Sequence, residues 1–312
     1  MSYDLGWSQY MGFAPQDGRL VGPLAVDSPT ASVVSLAAGP CTAPALQRNE
    51  GTASQSLVGA MCPVAQYPGR REVSLSTTLQ VNSKEFLTYA LRDHSALRSS
   101  EAPYGAASTC RGLRYLTVET GHDQHYEAGA GNSQYVDALF LSLALSYDES
   151  KPVQAQCDLW APCDVVNPTP GTAWTLLDGV YAWRGLDATL GVADIRERIQ
   201  RVGVNVSNNL RRAGWRNQIM SGGVETALSR TCRAIIPGPE TVTVSFHLYD
   251  MTDGEVASWR WGTLVLTATT AYESMEVELD MLRISRYSRP SVSPNGVVTY
   301  QTEGLAGVVT IN

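Results

Sequence analysis

The chain has 312 residues, 44% of them hydrophobic and 17% charged, with 23 basic and 30 acidic side chains and a formal net charge of -7. That apolar content builds a sizeable core in one large or two ordinary domains. The charge balance excludes a sequence-independent grip on nucleic acid, which needs clustered positive charge, and no apolar run approaches the ~18 residues of a membrane-crossing helix, so no membrane insertion is expected.

Residues 1–70 are rich in Gly, Pro, Ala and Ser, and the opening MSYDLGWSQY lacks the basic and apolar regions of a secretory signal. Ser32–Leu36 is a strand candidate. Residues 37–68 hold four prolines and two cysteines and read as a long loop, of the kind that crosses to a neighbour in an assembling protein. Arg71–Val81 alternates: Val73, Leu75, Leu79 and Val81 face one way, and Ser74, Ser76, Thr78 and Gln80 face the other. Asn82-x-x-Glu85 has the form of a capping box, with Phe86, Leu87, Ala90 and Leu91 at helical spacing, so a helix is predicted over Ser83–His94.

Arg114–Thr120 reads as a modest strand and Gly121–Ser133 as a polar loop. Tyr135–Tyr147 is the strongest strand of the first half, with Leu139, Leu141, Leu143 and Leu145 expected on one face, and Val153–Leu159 is its hairpin partner. Asn167–Gly171 (NPTPG) suits a linker, which divides the chain into 1–165 and 166–312. The first part carries 10 basic and 16 acidic residues and the second 13 and 14, so the acidity sits in the first.

Beyond the linker, Ala173–Leu190 gives two strand-like pieces. Ile199–Leu210 (IQRVGVNVSNNL) and Glu240–Asp250 (ETVTVSFHLYD) are two half-buried strands, the first ended by Asn208-Asn209 and the second approached through Ile236-Pro237-Gly238-Pro239. Between them, Arg211–Arg233 is read only as far as one helical turn. Gly262–Thr270 is a strand. Ser274–Ile284 alternates Met275, Val277, Leu279 and Met281 against Glu276, Glu278 and Asp280, and Asn295-Gly296 signals a hairpin before final strands that end at Val308–Ile311. Ten to twelve short strands, one helix and many Gly/Pro turns mean a mainly β protein, a sandwich or barrel. Tyr135–Leu159 and Arg198–Tyr249 can be overlaid with a long insertion, which raises an internal duplication.

The chemistry-bearing residues form no catalytic constellation, and no enzyme activity, metal or cofactor is expected. His122-Asp123-Gln124-His125 lies in a Gly-rich loop with no second ligand pair at zinc-like spacing. The six cysteines include no C-x-x-C, and free thiols are expected. Cys157 and Cys163 are close enough to bridge, but Trp160-Ala161-Pro162 between them reads as a turn. The low charge fraction fits a surface covered in an assembly and equally an uncharged, loop-rich β protein. Of the 23 basic residues only Lys84 and Lys151 are not Arg; this bias fits interfaces and equally a GC-rich coding sequence.

An alternating strand ending in Asn-Asn-Leu, a variable link, an apolar-Pro-Gly turn and a V-x-V-x-F strand resembles the tail tube proteins of long-tailed bacteriophages. The likeness runs in order and pattern from Val73 to the C-terminus; residues 1–70 match nothing in it. The resemblance implies a β-sandwich or half-barrel tail-tube fold with one short helix. Rings of that family carry six copies of the fold, and chains holding two copies form trimers, so a homotrimer is expected, with a homohexamer as the alternative. It implies rings stacked into a tube in the virion tail, assembled in the host cytoplasm, with tape-measure, tail terminator and baseplate or tip proteins as partners. DNA then passes through without specific binding. The candidate lumen wall is Ser74, Ser76, Thr78, Gln80, Glu276, Glu278 and Asp280; an outer solvated face accounts for each equally. The alternative function is a β-sandwich virion adhesin recognising a host surface, with Trp174, Trp183, Trp259 and Trp261 as its aromatic patch.

Overall fold

The structure is a computed structural model that describes residues 10–16, 36–42, 45–49, 52–55, 65–68, 72–91, 114–121, 133–149, 151–166, 179–190, 193–215, 220–221, 223–225, 231–249, 262–271, 273–288 and 300–311. Among these the chain is mainly β with a single short helix. The first region holds β1 (Tyr10–Gln16), β2 (Leu36–Pro40), β3 (Ala45–Asn49), β4 (Thr52–Gln55), β5 (Ala65–Pro68), β6 (Glu72–Gln80), α1 (Lys84–Thr88), β7 (Tyr115–Gly121), β8 (Ser133–Asp148), β9 (Gln154–Ala161) and β10 (Cys163–Val166). The second holds β11 (Ala182–Leu190), β12 (Ala193–Asp194), β13 (Ile199–Ser207), β14 (Leu210–Trp215), β15 (Met220–Ser221), β16 (Val224–Glu225), β17 (Cys232–Pro237), β18 (Thr241–Leu248), β19 (Gly262–Thr269), β20 (Ser274–Ser288), β21 (Tyr300–Ala306) and β22 (Val308–Ile311).

Sixteen strands join into one antiparallel network, and β4–β5, β14–β17 and β15–β16 are separate two-stranded ribbons. A central run follows the order β3-β6-β9-β8-β13-β18-β21-β20. Two long strands leave it. The first half of β8 pairs with β7 and β10, and β7 leads on to β1 and β2. The first half of β20 pairs with β19 and β22, and β19 leads on to β11 and β12. Register shifts mark both departures, between Phe140 and Ser142 on β8 and between Ile284 and Arg286 on β20. An extra residue in one strand bends it and increases its twist, which lets one strand serve two sets of neighbours.

Alternation explains the central strands. Val202, Val204 and Val206 of β13 are buried beside Val242, Val244 and Phe246 of β18, with Val204 opposite Val244. β6 buries Val73, Leu75, Thr77 and Leu79 and turns Ser74, Ser76, Thr78 and Gln80 outward. The seven residues Arg201–Ser207 also hold the seam between the two regions, because β13 pairs with β8 from Arg201↔Asp148 to Ser207↔Ser142. Asn208 locks that seam: it is buried, and its Nδ2 donates to the carbonyls of Ala90 and Phe140, both at 3.0 Å. Asn209 takes the left-handed turn conformation (φ 47°) and donates to Pro239 O.

Several expectations change. Residues 37–68 are not one loop: β2, β3, β4 and β5 lie there. The helix is shorter than Ser83–His94, and its cap is Ser83, whose Oγ accepts from Phe86 N. Asn82 is instead buried, donating to Gly179 O from across the chain. The apolar face of α1 packs as expected, with Phe86 between Phe13 and Phe140 at 5.1 Å ring separations. Leu139 to Leu145 do not share a face. The shift after Phe140 leaves Leu139 and Leu141 with Trp160, while Leu143 and Leu145 join the main core. Arg211–Arg233 contributes strands β14 to β17, with no helix among the described residues. The strand count exceeds the ten to twelve expected, because the short strands carry little periodicity. Cys157 is a free, buried thiol, as are Cys41 and Cys232. Burial pushes Cys41 up to about 11, against a hydrogen bond from Thr77, and pushes Cys157 higher still, so both are unreactive. The linker 167–171 and the Asn295-Gly296 turn lie outside the described residues.

Candidate functional site

The outward residues of the central run converge on one trough of about 680 Å³. Its lining comes from six adjacent strands: Thr78 of β6, Gln154 and Gln156 of β9, Ser146 and Asp148 of β8, Arg201 and Asn205 of β13, Thr243 and Ser245 of β18, and Glu303 and Leu305 of β21. Register turns these into rows across the sheet. One row runs Gln80, Gln154, Ser146, Gly203, Ser245, Glu303; the next runs Thr78, Gln156, Ala144, Asn205, Thr243, Leu305. Gly203 keeps the floor open, since a Cβ there would stand 2.7 Å from Ser245 Oγ.

The charges in this face are bound locally. Asp158 accepts from Ser76 Oγ at 2.6 Å and from Ser142 Oγ at 2.7 Å, one hydroxyl from each neighbouring strand. Arg201 Nε lies 3.1 Å from Asp148 Oδ1, and Lys151 Nζ lies 3.4 Å from Asp148 Oδ2. His247, beside Arg201 in register, is held below the usual imidazole range, first by burial and then by the Arg201 charge, with Asp148 opposing. Three carboxylates, Asp148, Asp158 and Glu303, thus share the face with Arg201 and His247. Among the described residues the trough lining is mostly hydroxyls and amides with one arginine, Arg201, paired to Asp148, while register sets Arg283 beside Leu305 and Arg286 beside Glu303 at the β20 edge of the same face; holding phosphate requires cations that are free.

Of the seven residues expected on a lumen wall, Ser74, Ser76, Thr78 and Gln80 lie on this face, and Thr78 lines the trough itself. Glu276, Glu278 and Asp280 lie in the other half of β20, flanked by β19 and β22, and do not line it. The structure therefore separates the two groups. Asp280 accepts from Thr263 Oγ1 at 2.8 Å. Of the six strands that line the trough only β6 was expected there; β8, β9, β13, β18 and β21 were not, because which outward faces adjoin depends on strand order.

One end of the face is covered. Trp160 is in the same outward alternation as Asp158, yet is 1% exposed. The β14–β17 ribbon lies over it, packing Ile235 and Cys232 with Trp160 and Leu139, and the Arg212 guanidinium stands 5.8 Å above its ring. Arg212 is fixed in turn by Glu72 at 2.8 Å. Among the described residues no three His, Cys, Asp or Glu side chains group to hold a metal, and no helix is long and apolar enough to cross a membrane. His122 and His125 lie outside the described residues, as do Trp174, Trp259, Trp261 and the side chain of Trp183. No protein-family model matches the chain, and no curated protein matches its sequence.

Proposed function

We propose that the chain is a structural subunit of a bacteriophage tail tube, built from two copies of one tube-type unit that meet near residue 166, whose trough faces a lumen conducting DNA. The observation that carries this reading is repetition. In the first region β1–β2, β1–β7, β7–β8, β8–β10, β8–β9, β6–β9 and β3–β6 pair. Their counterparts in the second, in the same chain order, are β11–β12, β11–β19, β19–β20, β20–β22, β20–β21, β18–β21 and β13–β18.

The irregularities recur with them. Leu116↔Ala138 then Val118↔Tyr135 corresponds to Gly262↔Leu282 then Leu264↔Leu279. Phe140↔Leu159 then Ser142↔Asp158 corresponds to Ile284↔Gly304 then Arg286↔Glu303. Bulges are specific, retained features of a fold, so two in matching places argue for common descent of the units. This sets β8 on β20 and β9 on β21, and it replaces the sequence overlay of Tyr135–Leu159 on Arg198–Tyr249.

A conduit must wet DNA without holding it. The trough meets that need: its one arginine is engaged by Asp148, and its hydroxyls and amides hydrate rather than bind a phosphate backbone. Two units per chain make three subunits the expected ring, with six as the alternative. Stacked rings would meet tape-measure, terminator and baseplate or tip proteins in the virion. The role is structural and needs no cofactor. Sedimentation and negative-stain microscopy over a concentration series test this: rings or tubes with an open centre are expected, and a chain that stays monomeric throughout, alone and with tail partners, overturns it.

A further inference from the structure

Resting on that reading of the chain as a ring subunit, we infer that the joint between copies repeats the joint inside one. The β20 end of one copy pairs with β3 of the next, as β8 pairs with β13, and the β4–β5 ribbon of the next copy covers Leu305, as β14–β17 covers Trp160. Inside the chain, Ser142, Leu143 and Ala144 of β8 stand opposite Ser207, Val206 and Asn205 of β13. The shared rows fix the counterparts. Asp158 and Glu303 align Ser142 with Arg286, and Ser76 and Ser245 align Ala45 with Gly203.

Carried across, the register sets Arg286 opposite Asn49, Tyr287 opposite Arg48 and Ser288 opposite Gln47 of the neighbouring copy. Both edges are open for it. Among the described residues β3 pairs with β6 alone, and residues 286–288 pair with β21 alone. Open edges are templates for further strands, and a head-to-tail joint that closes makes a ring. A slip of one residue in one direction puts Arg286 opposite Arg48, and like charges directly opposite destabilise a ladder; a slip in either direction turns every side chain of the added strand to the other face.

A second observation points to the same joint. Leu305 is 48% exposed, the one exposed large hydrophobic among the described residues. It holds the place of Trp160: Leu305 faces Arg283 and Thr243, as Trp160 faces Leu139 and Ser74. Trp160 is covered by the ribbon that follows β13. The ribbon that follows β3, the counterpart of β13, is β4–β5. Among the described residues no ribbon covers Leu305; the β4–β5 ribbon of a second copy would.

The test is disulfide trapping in the full chain under assembly conditions. Gln47→Cys with Ser288→Cys, and Arg48→Cys with Tyr287→Cys, are adjacent pairs, so one of them is a non-hydrogen-bonded pair suited to a disulfide. At least one double variant gives a ladder on a non-reducing gel that ends at the copy number of the ring. The single variants and the slipped pair Gln47→Cys with Tyr287→Cys give none. Rings that form without any ladder overturn this joint while leaving the tube reading intact; absence of rings overturns the reading itself. Leu305→Asp removes dependence on the cysteine variants. It leaves monomer unfolding unchanged and raises the concentration for half-assembly by at least about tenfold; unaltered assembly contradicts the proposed cover. In the wild-type chain, amides of 47–49 and 286–288 become protected from hydrogen exchange on assembly, and exchange unchanged from the monomer contradicts the pairing.

Discussion

Trp160 on β9 and Leu305 on β21 occupy the same row of matching strand pairs, one opposite Leu139 and the other opposite Arg283. Trp160 is 1% exposed and Leu305 is 48% exposed. The strands beneath them do not account for the difference. What differs is the surroundings: β13 pairs beside the first place and the β14–β17 ribbon packs over it, and among the described residues no ribbon packs over the second. The residue chemistry follows. A large aromatic with a guanidinium above it occupies the covered place, and a smaller aliphatic side chain the open one.

The largest expected effect tests the covered place. Trp160→Ala removes a fully buried aromatic and lowers the stability of the monomer by about 3–5 kcal/mol in chemical denaturation. Next is the seam. Asn208→Ala strands two buried carbonyls, those of Ala90 and Phe140, and costs about 2–3 kcal/mol. The trough comes third. Thr78→Lys, Gln156→Lys and Asn205→Lys combined convert a neutral row into a cationic one. The triple variant retards duplex DNA in a gel-shift assay at low salt, with a dependence of ~0.9 per phosphate contact in log K against log salt, while the parent does not.

At the open place, Leu305→Ala shifts monomer stability by no more than about 0.5 kcal/mol, the intended contrast with Trp160→Ala. The smallest effect belongs to His247. Its folded-state pKa is lowered by burial and by Arg201, so its contribution to stability is present above the ordinary imidazole range of ~6.5 and is lost as pH falls through the folded value. His247→Gln flattens the pH dependence of unfolding slightly below ~6.5; a steeper dependence in the variant contradicts the assignment.

The sequence made some of this legible and hid the rest for physical reasons. β6, β13, β18, β19 and the first part of β20 announce themselves by strict apolar alternation, and the Ser74–Gln80 face followed from it. β2 to β5 do not, because LAAGP, ALQRN, TASQ and AQYP are four or five residues long without an apolar period; β2 and β3 owe their strand state to β1 and β6. Alternation also misled where bulges intervene. The shift after Phe140 sends Leu139 and Leu143 to different clusters, and the bend in β20 carries Glu276, Glu278 and Asp280 away from the trough. The proposed repeat is blurred in sequence because the positions it matches, such as Asp158 with Glu303 and Ser76 with Ser245, are set by strand pairing, while the segments between them vary in length.

In the proposed assembly a neighbouring copy finishes the sheet. The most direct measurement is an electron cryomicroscopy map of the assembled chain at a resolution that separates strands. One continuous antiparallel sheet is expected, passing from residues 286–288 of each copy into 47–49 of the next, with Ser146, Asn205 and Thr243 turned toward a hollow axis. A map in which those two edges lie apart, or in which the trough faces the outside of the assembly, contradicts it.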